Sequence, residues 1–215
     1  LGLLSGTRVM TGLRTFFHGY SPLKVSDSGR PGLMWSAGSG RFGPKLRGLG
    51  IDEVVFTGRS PEPVLLRISP GTPARFEFLP AADLAGRRVN DRIQDLHRRW
   101  PEARMAVIGP AAEHYESVRY AAIALSTDNQ LESGDNTPRF WGRGGYGGVM
   151  ASKNLFAIVA DGPDPERQRG LRDINAEINL GEGSRRYRDL PDDRGGTWRT
   201  MKLMWENGAL PEYNF

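Results

Sequence analysis

The chain has 215 residues and not one cysteine. That excludes disulfides, thiolate nucleophiles and cysteine-held zinc or iron–sulfur clusters within it. Histidine is scarce as well: His18, His97 and His114 lie far apart and form no H-x-x-x-H pair, so no metal centre is expected from them. No apolar run approaches the roughly 20 residues of a membrane span. A composition of 38% hydrophobic and 25% charged residues fits a soluble chain long enough to bury a real core. No charged segment followed by an apolar one trails Leu1, so no signal peptide is read and a cytoplasmic location is expected. Charge of one sign is in modest excess, +4 with a pI of about 9.6 and acidic residues interspersed, and nucleic-acid binding is not expected from it. Arginine dominates over lysine. A planar guanidinium suits bidentate recognition of phosphate or carboxylate, although a GC-rich codon bias produces the same enrichment.

What is present is patterned. Residues 1–50 are glycine-rich and punctuated by turns, and read as short strands joined by tight loops. Val54 to Thr57 and Val64 to Ile68, separated by a Gly- and Pro-containing turn, read as a hairpin, with "ARFEFLP" as a third strand. From Val89 to Trp100 the apolar residues Val89, Ile93, Leu96 and Trp100 recur at helical spacing, which predicts an amphipathic helix closed by Pro101. "ARMAVIGP" and "SVRYAAIAL" follow as strands, and Asp128 to Pro138 as a polar surface loop. The carboxylate runs "DGPDPE" and "PDD" read as solvated turns.

The densest feature is "RFWGRGGYGGVMASKNLFAIVADG", with five glycines and two arginines between Arg139 and Gly148. Glycines permit positive φ and close backbone approach, and consecutive N–H groups in such a turn can form an anion-binding nest beside Arg139 and Arg143. Most glycine-rich turns are merely structural, and that reading stays open. The stretch is not read as the dinucleotide fingerprint, because no following helix with an acidic partner is expected there, and it lacks the G-K-[ST] ending of a P-loop. The apolar "LFAIVA" argues for a buried strand and against a disordered RGG segment.

"GRGGYGGVMASKNL" resembles the glycine-rich signature of the tungsten-dependent aldehyde ferredoxin oxidoreductases, in their N-terminal cofactor-binding domain. Further stretches are similar to that family in the same order: "GLLSGT", "YSPL", "SGRFGPKLRGLGIDEVVFTGRSPEPVLLRI", "VIGPAAEH" and the closing "NGALPEYNF". Together they span nearly the whole chain.

The resemblance implies an α+β, β-rich domain, two sheets forming a base for a tungsten or molybdenum bis-pyranopterin, with one or two amphipathic helices. Residues 1–162 would be the core of that domain and residues 163–215 a helical or loop extension. It further implies a magnesium ion bridging the pterin phosphates, bound by main-chain carbonyls that fall here on Ala37 and Phe140. Arg14, Arg139 and Arg143 would supply charge to phosphates or pterin. Ala37, Gly38, Ser39, Phe140, Gly142 and Gly144 would contribute backbone. Glu113 is expected to bond loop amides, His114 to line a turn, and Ser152 and Lys153 to fix a loop rather than form a nucleophile pair.

The sequence also departs from the family. Asparagine stands there at the position of Ala37, and small residues at Phe140 and Trp141, where aromatics would either shield the pterin or fill its place. Extra residues fall in "KVSDSGRPGLMW" and "STDNQLESGDNTP". The family carries a further segment before the position of Leu1. Its later domains hold the cysteines of a [4Fe–4S] cluster, the acid and base groups and the opposite wall of the cofactor. Such a cluster, and a ferredoxin-type acceptor, would come from those domains or a separate subunit, and the reaction implied is aldehyde plus water to carboxylic acid. The alternative expectation is a non-catalytic binding or assembly module that keeps the fold without the metal.

Overall fold

A computed structural model of the chain describes residues 1–2, 4–7, 10–164, 171–182, 185 and 201–209. The chain divides into two compact units, Leu1–Arg167 and Gln168–Phe215. The second contains the helices Leu171–Leu180 and Met201–Glu206 among its described residues. The run "PDD" and most of "NGALPEYNF" lie outside the described residues.

The first unit is α+β, with two sheets and several short helices. Strands β1 (Arg14–Val25) and β2 (Pro31–Ser39) form an antiparallel hairpin. The larger sheet has β3 (Val64–Ser69), β4 (Arg75–Pro80), β5 (Arg104–Ile108), β6 (Ile123–Leu125), β7 (Arg139–Trp141) and β8 (Leu155–Ala160), in the order β4-β3-β8-β5-β6-β7. Its helices are α1 (Phe42–Gly48), α2 (Val89–Arg99), α3 (Pro110–Glu113), α4 (Asp128–Ser133) and α5 (Tyr146–Ser152). Among the described residues no helix is long and apolar enough to cross a membrane.

The core follows the apolar runs. All six residues of "LFAIVA" are buried in β8, between parallel β3 and antiparallel β5, as a strand covered on both faces requires. Helix α2 buries Ile93 and Leu96. Arg92 is buried beside them; its guanidinium donates to the carbonyls of Arg87 and Ile108 and pairs with Glu113. Burial lowers the Arg92 pKa, and the Glu113 carboxylate offsets part of that. Glu113 also accepts from the Gly86 N–H, as expected of a residue bonding loop amides. Lys153 Nζ donates to the Gly58 carbonyl and Ser152 Oγ to that of Val149, so neither forms a nucleophile pair.

Several local expectations are corrected. The hairpin partner of β3 is β4, not Val54 to Thr57; one edge of β3 is taken by β4 and the other by β8, leaving Val54 and Phe56 to pack against the core from a non-strand segment. Residues 1–50 hold two long strands and α1 rather than short strands alone. "SVRYAAIAL" contributes only the three residues of β6. Asp128 to Pro138 begins as α4, because the Thr127 hydroxyl caps it by accepting from the Gln130 N–H, and Gly134 ends it at φ 76°. A helix, α5, does follow the glycine loop.

Candidate functional site

The hairpin has two unlike faces. Directly opposed residues share a face in an antiparallel pair. On one face Arg14, Phe16, His18 and Tyr20 stand opposite Ser39, Ala37, Trp35 and Leu33. Phe16, Tyr20, Trp35 and Leu33 are all exposed, Trp35 at 56%. Phe16 and Trp35 meet edge to face at 5.9 Å between ring centres. On the other face Thr15, Ser21, Ser36 and Gly38 are buried, and Phe17 packs on Trp141 and Tyr146 at 5.5 and 4.8 Å.

The inner face is stitched to the glycine-rich loop by side-chain hydrogen bonds. Trp141 Nε1–H donates to the Thr15 carbonyl at 2.9 Å. The Arg143 N–H donates to Ser36 Oγ at 3.1 Å, and Ser21 Oγ donates to the Gly144 carbonyl at 2.9 Å. The Tyr146 hydroxyl reaches the carbonyls of Gly19 and Met34. Burial raises the Tyr146 pKa, which keeps the phenol a neutral donor.

Where the outer face meets the loop, a pocket of about 650 Å³ opens. The hairpin lines it with Arg14, Phe16, Trp35, Ser36 and Ala37; β7 and the loop line it with Phe140, Gly142 and Arg143. Among the described residues, Arg14 and Arg143 make no ion pair. By contrast Arg41, Arg47, Arg67, Arg92, Arg98, Arg99 and Arg104 each meet a carboxylate. The pocket therefore combines two uncompensated guanidinium groups with aromatic faces, which suits a flat anionic ligand. Among the described residues, no group of three or more His, Asp or Glu is placed to hold a metal ion. A cation here would draw on main-chain oxygens and on the ligand.

The pocket brings together Arg14, Ala37, Phe140, Gly142 and Arg143 of the residues picked out from sequence, and leaves Gly38, Ser39, Arg139 and Gly144 outside its lining. The glycines explain why. A Cβ on Gly38 would fall 2.5 Å from Leu125 Cδ1, and one on Gly144 2.6 Å from the Tyr146 ring. On Gly145 it would fall 2.1 Å from the Arg119 carbonyl, and on Gly147 2.5 Å from that of Ala122. Gly38 lets β2 lie against Leu125 and Trp141, while Gly145 and Gly147 let the start of α5 approach the backbone of residues 119–122. Only at Gly142 within the loop is the space open, with Phe140 Cβ at 3.9 Å the nearest atom. The expected nest is also partly spent, since the Gly147 N–H donates to Ala121 and that of Arg143 to Ser36. Arg139 is exposed on β7. The two aromatics divide: Trp141 is buried in the core, while Phe140 stands 49% exposed at the pocket. His114 is exposed and does not line it.

Sequence reading missed Phe16, Trp35 and Ser36. Their signal was the alternation in "RTFFHGY" and "GLMWSAG", obscured because Phe16 and Phe17 are both aromatic. Of the two stretches, "KVSDSGRPGLMW" runs from the end of β1 through the hairpin turn and along β2 to Trp35 at the pocket, and "STDNQLESGDNTP" forms α4 with the turn after it. Upstream, Ser5 Oγ donates to the Arg14 carbonyl at 2.8 Å, fixing the start of β1 at the pocket edge.

The chain is 30% identical over its whole length to the tungsten-containing aldehyde ferredoxin oxidoreductase of Pyrococcus furiosus, and 34% identical to that of Pyrococcus abyssi, covering 33% of each. It therefore spans about a third of the length of these relatives. Among solved structures it resembles the active-site complex BamBC of benzoyl coenzyme A reductase in complex with 1,5-dienoyl-CoA. The TM-score there is 0.68 at 27% identity, over 89% of this chain and 27% of that one. Residues 1–162 match the aldehyde ferredoxin oxidoreductase N-terminal domain, and the chain belongs to that family.

Proposed function

We propose that the chain forms one wall of the cofactor site in a tungsten or molybdenum bis-pyranopterin oxidoreductase. The observation that carries this is the pocket where Arg14 and Arg143, in no ion pair among the described residues, line the site with the exposed rings of Phe16, Trp35 and Phe140. The names of the relatives supply the cofactor; the fit rests on the pocket's chemistry, two positive charges for phosphate and flat apolar faces for a ring system. Residues 1–162 act as the cofactor-binding portion, and residues 163–215 lead from it toward further domains.

When bound, the metal and its pterins supply the redox chemistry, which in the family is two-electron oxidation of an aldehyde, with oxygen from water, to a carboxylic acid. This chain's own residues bind and orient. Arg14 and Arg143 would neutralise phosphate, Gly142 would leave the backbone open to the ligand, and Ala37 and Phe140 would offer main-chain oxygens to a magnesium ion bound with it. Trp141 and Tyr146 hold the hairpin against the loop so that these groups keep their spacing. With no cysteine in the chain, the iron–sulfur cluster that accepts electrons belongs to further domains or a partner subunit, and a ferredoxin-type protein lies beyond it.

Metal and pterin analysis of the protein from its native source tests this. Tungsten or molybdenum at about one per chain, together with a pterin released on denaturation, is the expected result. Native protein free of metal and pterin, with its partner subunits present, would return the chain to a binding or assembly role.

A further inference from the structure

We propose that Ser36 is a positioning residue for Arg143, setting the guanidinium that binds the anionic end of the pocket ligand; this rests on the reading of the pocket just given. Ser36 is 1% exposed and lies on the inner face of β2, yet it borders the pocket. Its Oγ accepts the Arg143 N–H at 3.1 Å, across 107 residues of sequence. Arg143 follows Gly142, which has open space around its Cα, and precedes Gly144 and Gly145, both at positive φ. The flanking glycines are themselves conformationally permissive, so they do little to hold Arg143 in place. The serine hydroxyl is the bond that fixes this amide, and it does so from the strand that also carries Trp35 and Ala37. Both walls of the pocket are thereby referred to one strand before any ligand arrives, so the ligand does not have to order the loop.

Ser21 provides an internal control. It too is a buried hairpin serine bonded to the loop, but its Oγ donates to the Gly144 carbonyl and accepts from the Leu23 N–H rather than from the Arg143 N–H. A merely structural role would give the two serines the same phenotype. A positioning role separates them.

The test uses the full native polypeptide made in a host that lacks the pterin cofactor, with inorganic pyrophosphate as the probe and calorimetry as the readout. Ser36→Ala is expected to weaken pyrophosphate binding about tenfold, whereas Ser21→Ala, with a similar fall in unfolding temperature, changes it less than about twofold. In an Arg143→Ala background, Ser36→Ala is expected to have no further effect on affinity, because the group it places is gone. Equal weakening by both serine variants, or the same weakening by Ser36→Ala with and without Arg143, would overturn the inference while leaving the pocket an anion site. If the parent protein binds no pyrophosphate and Arg14→Ala and Arg143→Ala alter nothing, the anion reading of the pocket itself fails, and the role of Ser36 with it.

Discussion

The two faces of the β1–β2 hairpin are built from the same strands and do opposite things. Inward, Thr15, Ser21 and Ser36 are buried and the Thr15 carbonyl, Ser21 Oγ and Ser36 Oγ all have partners in the loop 141–146. Outward, Phe16, Tyr20, Leu33 and Trp35 leave large apolar surfaces in water beside Arg14, which has no carboxylate partner among the described residues. An inner face with its polar groups satisfied is what a fold needs. An outer face that leaves apolar area and charge uncompensated has no such purpose, and it gains one only when something else covers it. The difference separates the residues that hold the protein together from those available to a ligand.

Adjacent residues of β7 give the sharpest way to break this comparison. Trp141 is 2% exposed, meets Phe17 at a tilt and Phe42 edge-on, and donates to the Thr15 carbonyl, while Phe140 faces the pocket. Trp141→Ala should cost about 3 to 5 kcal/mol of stability. Phe140→Ala should change stability by less than about 1 kcal/mol and lower the amount of cofactor retained on purification. Denaturant melts and metal content measured on both variants read the two effects separately. A Phe140→Ala protein as unstable as Trp141→Ala would mean that the outer face is structural after all.

The loop glycines divide the same way. Gly145 sits at φ 64° with the Arg119 carbonyl where a Cβ would go, so Gly145→Ala should lose at least about 2 kcal/mol. Gly142 has neither constraint, and Gly142→Ala should fold like the parent, with stability within about 0.5 kcal/mol of it. Its effect belongs to the ligand, and cofactor retention is the quantity to follow. Thermal unfolding that ranks Gly142→Ala below Gly145→Ala would reverse the assignment of inside and outside in this loop.

How far the sequence exposed this division depended on the kind of signal. Strand β8 and helix α2 were legible because an unbroken apolar run and a 3.6-residue period each have a single good reading. The hairpin was not: in "RTFFHGY" Phe16 points out and the next residue, Phe17, points in, so hydrophobicity alone hides the alternation. Helix α4 was hidden by its own composition, since the Thr127 cap and Gln130 sit among Asp, Asn and Gly residues that also make turns. At the site, the family resemblance led to Arg14, Ala37 and Arg143, which line the pocket. It did not separate Gly142 from Gly144, because glycines needed for packing and glycines that leave room for a ligand are identical in sequence. Only the position of the neighbouring atoms tells them apart.

The smallest effect concerns the paired arginines that contrast with those of the pocket. Arg41 Nη2 meets Asp164 at 2.5 Å and the buried Lys45 Nζ meets it at 3.4 Å. Burial acts to raise the Asp164 pKa, but Lys45 and Arg41 together outweigh it, so the carboxyl is held below its ordinary value. A carboxyl whose pKa is lower in the folded than in the unfolded state adds stability above its unfolded pKa. That stability is lost as the pH falls through the folded value. The parent protein should therefore lose stability as the pH drops below about 4, and Asp164→Asn should flatten that part of the curve. At neutral pH the variant should be only slightly less stable, because Asp164 is partly open to solvent and screened. Arg143→Ala, by contrast, should leave the acid limb unchanged, since Arg143 pairs with no carboxylate among the described residues. Melting temperatures of the three proteins across this pH range measure both slopes. Acid sensitivity that moved with Arg143 rather than with Asp164 would mean that the pocket arginine is already compensated within the fold, and the contrast between the two sets of arginines would disappear.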